Sequence, residues 1–143
     1  MSSGEEARDT GFRRSETVRF QHCDPAGIVF YPRYVEMVNA TVEDWFAALG
    51  CSFAELHGPM KAGIPAVALN VEFRAPSRLG EELAFAVLID RRGRSSVTLR
   101  IECSCAQEAR FVATVTLVYI SLTDYRARPW PEAIGAAIVA ATA

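Results

Sequence analysis

The hydrophobic period changes once along this chain, and that change constrains the fold more than any other feature. After Pro32 the apolar residues Val35, Val38, Val42, Trp45, Phe46 and Leu49 recur every three or four positions. That is the stripe of an amphipathic helix of about sixteen residues, running from Arg33 to Leu49 and ended by Gly50. From Val67 onward the period is two: Val67, Leu69, Val71, Phe73, then Leu83, Phe85, Val87, Ile89, then Val97, Leu99, Ile101, Cys103. A last run, Phe111 to Leu122, is rich in Val, Thr, Tyr and Ile, so four strands follow the helix. Turn material separates them at Pro76 to Gly80, at Arg91 to Arg94 around Gly93, and at Gln107 to Glu108.

Before the helix, Val18, Phe20 and His22 alternate with Arg19, Gln21 and Cys23, which predicts a first strand ending at Asp24-Pro25-Ala26-Gly27. Short connections predict antiparallel neighbours for the last four strands. The economical α+β solution is one five-stranded antiparallel sheet wrapped around the one long helix. Residues 51–65 form a Gly- and Pro-rich connection with a helical turn near Phe53 to His57, and the Ala-rich tail from Pro131 predicts a short closing helix. Residues 1–15 carry Gly, Ser and charge without periodicity and read as a disordered leader to a single domain over 16–143.

Composition narrows the function. A chain of 143 residues with 22% charged residues and a net charge of -2 suits one globular domain, not a coat for nucleic acid or an anionic membrane. No apolar run approaches the ~18 residues of a membrane span, and residues 1–16 lack a signal-type core, so the expected compartment is the cytoplasm. Cys23, Cys51, Cys103 and Cys105 offer no C-x-x-C pair or histidine spacing of a zinc site, and no metal is expected.

The chemistry concentrates in His22-Cys23-Asp24-Pro25-Ala26-Gly27-Ile28-Val29-Phe30-Tyr31-Pro32-Arg33-Tyr34. An acid, a glycine free to take positive φ and a helix start fall within about ten residues. The unpaired N–H groups of a helix N-terminus, with their partial positive charge, suit a developing oxyanion. A thioester needs little more: its carbonyl is weakly stabilised by resonance and its thiolate leaves readily. Asp24 can attack the carbonyl and form a mixed anhydride, or deprotonate an attacking water; the sequence leaves both open.

The run DPAGIVFYPRY, after an alternating stretch and opening a long helix, resembles the hotdog-fold thioesterases of the 4-hydroxybenzoyl-CoA thioesterase family. The resemblance implies a hotdog fold, an acyl-CoA substrate with water as second reactant, no cofactor beyond the coenzyme A of the substrate, and a role in degrading aromatic compounds. It makes Asp24 the catalytic carboxylate, the Tyr31 backbone N–H the donor that polarises the carbonyl, and Gly27 the residue that permits close approach. It also implies a homo-oligomer, a dimer of dimers with each site at a subunit boundary. Arg91, Arg92 and Arg94 fall where the family's basic turn meets the nucleotide phosphates. The two positions that bind a distal phenol in that family carry Asn39 and Ile64 here; only Asn39 can hydrogen-bond, so benzoyl, hydroxybenzoyl or another aryl-acyl group fits the pattern.

Other residues have plainer readings. His22 beside Cys23 suggests a Cys/His pair, but strand neighbours point to opposite faces. His22 reads as structural, and Glu36 and Glu43 as a solvated helix face. Two rival functions stand beside the acyl-CoA thioesterase: hydrolysis of an acyl-carrier-protein thioester, and a non-catalytic acyl-CoA-binding domain.

Overall fold

In the computed structural model, which describes residues 7–141, the chain runs β1 (Arg8–Thr17), α1 (Tyr31–Ala48), α2 (Phe53–His57), β2 (Ala62–Gly63), β3 (Ala66–Phe73), β4 (Glu82–Arg92), β5 (Ser96–Cys105), β6 (Glu108–Val118), β7 (Ile120–Ser121) and α3 (Glu132–Ala140). Five strands form one antiparallel sheet in the order β1-β4-β5-β6-β3, and β2 pairs with β7 in a small second ladder. The alternation sends Leu83, Phe85, Val87, Leu99, Ile101, Phe111 and Ala113 to the face that packs with α1, where they are fully or almost fully buried. Helix α1 buries a wider stripe than its aliphatic residues predict. Tyr34, Met37 and Thr41 are buried with Val38, Val42, Trp45 and Phe46, and Val35 is only half-buried.

Three expectations need correction. The leader is not disordered where it is described: residues 8–15 belong to β1, which pairs with β4, while residues 1–6 lie outside the described residues. Its order comes from tertiary contacts that a polar sequence does not advertise. Arg14 donates to Thr41 Oγ1 at 2.9 Å, forms ion pairs with Glu16 and Asp44, and lies over the Phe85 ring at 5.1 Å. Next, the alternating segment 18–23 is not a strand. Val18 pairs with Glu81, but Phe20–His22 form a 3₁₀ turn in which His22 Nδ1 accepts the Arg19 N–H and Phe20 is 82% exposed. Side-chain hydrogen bonding to the local backbone wins over the strand pattern there.

The remaining correction concerns order. Strand β3 lies beside β6 on the far edge, not beside β4. Residues 74–81 must therefore cross the end of the sheet, past β6 and β5, before entering β4.

Candidate active site

The segment 23–29 closes into a hairpin. Cys23 bridges Val29, the Asp24 N–H donates to Ile28 O at 3.0 Å, and the Gly27 N–H donates to Asp24 O at 2.9 Å. Gly27 has φ +79°, a backbone conformation that costs a side-chain-bearing residue strain and explains glycine at this turn. The hairpin is held on two sides. Phe30 N–H donates to His22 O at 2.9 Å, and Val29 N–H donates to Ser77 O at 2.9 Å, extending the Ile28–Arg78 bridge. Residues 77–78 of the crossover thus lie beside the hairpin through one isolated bridge and one backbone hydrogen bond.

Asp24 is half-buried at the hairpin's start. Its Oδ1 accepts the Ala26 N–H at 2.9 Å, the backbone-capping role of an aspartate before proline, and Oδ2 carries no protein hydrogen bond among the described residues. Seven residues on, α1 begins at Tyr31 with Pro32 next to it, and no side chain caps the helix. Pro32 has no N–H and Arg33 N–H bonds Phe30 O at 2.8 Å, whereas Tyr31 N–H, as the first of the helix, has no intrahelical acceptor. One rigid turn therefore presents a free carboxylate oxygen and a free amide donor at the positive end of a helix.

The other candidate residues are spread along the molecule. Asn39 lies on α1, about 12 Å along the axis from Tyr31; it is exposed and donates to Glu43 Oε2 at 2.6 Å. Ile64 is buried just before β3, at the opposite end of the sheet from the hairpin. Arg91 and Arg92 end β4 and Arg94 lies in the turn after it; all three are exposed and unpaired with acids among the described residues. The hairpin stands at the start of β4, so about 35 Å of strand separates it from this turn. The structure joins Asp24, Gly27 and Tyr31 within one chain, and leaves Ile64 and the arginines at the far end.

His22 is buried, takes the Arg19 N–H on Nδ1, and holds Nε2 3.6 Å from Glu16 Oε2. Cys23 Sγ faces Arg19 O at 3.6 Å, so His22 and Cys23 form no catalytic pair. Burial pushes the Cys103 thiol up to about 12, which leaves it inert at neutral pH. Among the described residues no group of three His, Cys, Asp or Glu could hold a metal, and no helix is long and apolar enough to cross a membrane.

Sequence reasoning passed over the polar cluster under the hairpin. Arg110 is 6% exposed, and its Nη1 donates to Pro76 O (3.0 Å), Ser77 Oγ (3.2 Å) and Glu81 Oε1 (2.6 Å) while Nη2 donates to Glu81 Oε2 (3.1 Å). The Arg110 guanidinium and the Arg78 N–H hold the Glu81 carboxyl at about 2, well below the carboxylate range. The only trace of this in the sequence is an arginine set beside Phe111 in an apolar strand; apart from Glu108, whose Oε1 lies 2.8 Å from its Nε, its partners are 29 to 34 residues away.

The profile of the thioesterase-like superfamily matches residues 18–138, and the chain belongs to that superfamily. It is a thioester hydrolase with the hotdog-like fold of that group. A 1,4-dihydroxy-2-naphthoyl-CoA hydrolase from Synechocystis sp. is 23% identical over 123 residues, spanning 85% of this chain and 89% of the relative. A solved gentisyl-coenzyme A thioesterase superposes with a TM-score of 0.80 at 22% identity, covering 87% of this chain and 99% of that one. A Staphylococcus aureus protein solved in complex with CoA superposes with a TM-score of 0.87 at 14% identity, covering 92% and 83%.

Proposed function

We propose that this chain hydrolyses an aryl-acyl-CoA thioester, as a member of the 4-hydroxybenzoyl-CoA thioesterase branch, with Asp24 as the catalytic carboxylate and Tyr31 N–H as the oxyanion donor. The observation that carries the proposal is the pairing of the free Asp24 Oδ2 with the free Tyr31 N–H on one hydrogen-bonded turn. The thioester oxygen is polarised by the amide, and the carbon is attacked by Asp24 or by water that Asp24 deprotonates. The C–S bond then breaks, and coenzyme A leaves as a thiolate that takes a proton. On the covalent route, water next hydrolyses the mixed anhydride and frees Asp24. Neither route uses a metal or redox cofactor.

An aryl acyl group is supported by the aromatic side chains at the helix start. Tyr31 meets Phe30 at 5.5 Å and Phe73 at 6.5 Å between centroids, with all three rings exposed, and the stack continues inward through Tyr34 to Phe111. Both the relative's dihydroxynaphthoyl group and the gentisyl group of the solved thioesterase are hydroxylated aryl acyls, which agrees with this reading.

The working form in this proposal is a homo-oligomer, and β3 supports it. Leu69 and Phe73, opposite the buried Val115 and Phe111, point to the same sheet face as α1 yet are 45% and 51% exposed, and Val67 beside them is 62% exposed, on a strand with one edge unpaired. Antiparallel pairing of two β3 strands about a two-fold axis covers those side chains and reverses the second sheet. Ile64 and the arginine turn of the second copy then come to the end where this chain's Asp24 stands. The nucleotide of coenzyme A is assigned to that turn, Asn39 and Ile64 line the acyl end, and the four free cysteines fit a reducing cytoplasm.

The test is thiol release from benzoyl-, hydroxybenzoyl-, dihydroxynaphthoyl-, phenylacetyl- and straight-chain acyl-CoA by the wild type and Asp24→Asn. Turnover of an aryl thioester, lowered at least about 1,000-fold in a folded Asp24→Asn, is the expected result. Equal rates in the two proteins remove Asp24 from the mechanism, and stoichiometric binding without turnover marks a binding domain.

A further inference from the structure

The crossover 74–81 has an awkward task. It spans the open end of the sheet from β3 on one edge to β4, and its middle also supplies the bridge at Arg78 and the Ser77 carbonyl against which the Asp24 hairpin is laid. A connection of this length running over a sheet end is ordinarily a mobile element. This one is tied down at both ends by a single residue of β6. Arg110 O accepts the N–H groups of Arg74 (2.8 Å) and Ala75 (3.2 Å) where the crossover begins. Its guanidinium holds Pro76 O and Ser77 Oγ in the middle and Glu81 at the far end. Glu81 Oε1 in turn accepts the Arg78 N–H at 2.7 Å, which closes the turn beneath the hairpin. Ser77 is fully buried, and the Tyr34 hydroxyl, one turn along α1 from Tyr31, is buried close by.

We propose that Arg110 is a positioning residue for the thioester reaction: its buried fork with Glu81 fixes the crossover, and the crossover fixes the Asp24 hairpin and the start of α1. This rests on the reading of Asp24 and Tyr31 as the reacting pair. The path is short and made of direct contacts in sequence: Arg110 to Ser77, Ser77 O to Val29 N–H, Val29 across to Cys23, and Phe30 N–H to His22 O. Both reacting groups hang from the two strands so joined. A thioester carbonyl must sit within hydrogen-bond reach of one and attack distance of the other, and a shift of about 1 Å in such a geometry costs about 100-fold in rate. A bidentate pair between a buried guanidinium and a partly exposed carboxylate is suited to suppress that shift, because its planar fork fixes orientation as well as distance. Glu81 stays ionised through the working pH range, so the fork is permanent and does not act as a switch.

The test uses the full chain and the variants Arg110→Met, Glu81→Gln and, as a remote control, Ile138→Ala, which removes a fully buried side chain of α3. Two quantities are read: amide hydrogen exchange at Val29 and Phe30, and kcat and KM on the thioester panel with thermal stability measured alongside. The fork acting as a positioner gives exchange at Val29 and Phe30 at least about tenfold faster and kcat about 10- to 100-fold lower, with KM within about twofold, in the two fork variants. Ile138→Ala, although destabilised, keeps wild-type exchange at those amides and wild-type kcat. Unchanged exchange at Val29 and Phe30 in Glu81→Gln, or a kcat unchanged on a substrate the wild type turns over, overturns the proposal. So does an equal fall in kcat for Ile138→Ala. If Arg110→Met does not fold, the isosteric Glu81→Gln carries the decision alone. A wild type inactive on the whole panel sinks the thioesterase reading, while the exchange measurement still judges the fork.

Discussion

The two edges of the sheet are built to opposite ends. Strand β1 carries Arg8, Asp9, Arg13, Arg14 and Glu16, breaks its register with β4 between Asp9 and Arg13, and turns through Gly11 at φ +79°. Charge and a bulge of this kind keep an edge from pairing with another chain. Strand β3, with sequence AVALNVEF, has its own register irregularity only at its start, between Ala66 and Ala68, runs regularly with β6 from Ala68 to Phe73, carries one charge, Glu72, and leaves three large apolar side chains exposed. One edge refuses a partner and the other is short of one. Under the proposed β3–β3 pairing, that difference assigns the second subunit to the β3 edge and the far end of the partner to the Asp24 site.

The strongest way to break this contrast is Leu69→Lys. An unpaired charge placed in a buried β3–β3 seam is expected to weaken self-association at least about 100-fold and lower turnover in parallel, read by sedimentation and thiol release. An unaltered oligomer in that variant would move the interface elsewhere. On the opposite edge, Arg14→Ala loses the contacts to Thr41, Glu16, Asp44 and Phe85, so urea unfolding should show about 2 kcal/mol less stability with the oligomeric state unchanged.

Replacing Arg91, Arg92 and Arg94 together by Ala sharpens the comparison further. KM for the thioester should rise about tenfold with kcat unchanged, and the effect should shrink as salt is raised. If the turn serves the partner's site, as proposed, the same replacement should change KM little in the monomerised Leu69→Lys background. The smallest effect belongs to Asp9. The Arg13 guanidinium and the Gly11 N–H lower its carboxyl from 3.8 to about 2, so its contribution is complete above about pH 4 and is lost as the pH falls through about 2. Asp9→Asn should therefore cost a few tenths of a kcal/mol at pH 7, as about half-exposed pairs do, and progressively less as the pH falls from about 4 towards 2, in thermal melts across that range.

Much of the local geometry of the candidate site was legible because its information is local. Asp24, Gly27 and the start of α1 lie within eight residues, and turn chemistry and helix termini act over that distance. Strands β3 to β6 followed from a period of two for the same reason. Segment 18–23 misled because Val18, Phe20 and His22 mimic alternation, although the His22 ring bonds the Arg19 N–H and curls the chain. The Arg110 fork was invisible, since its two charges are 29 residues apart and neither stands in a motif.

What the sequence determined by itself is the set of elements with their own periodicity, and the chemistry of one turn: the long helix, four strands, the carboxylate and the uncapped helix start. The tertiary structure decided the rest. It ordered β1 through Arg14, placed β3 on the far edge, and sent 74–81 across the sheet end to brace the hairpin. It also set the arginine turn a whole strand length from Asp24. The physical reason is range: backbone propensity and side-chain period act over a few residues, whereas edge choice, crossovers and buried ion pairs depend on groups that meet only after the chain has folded.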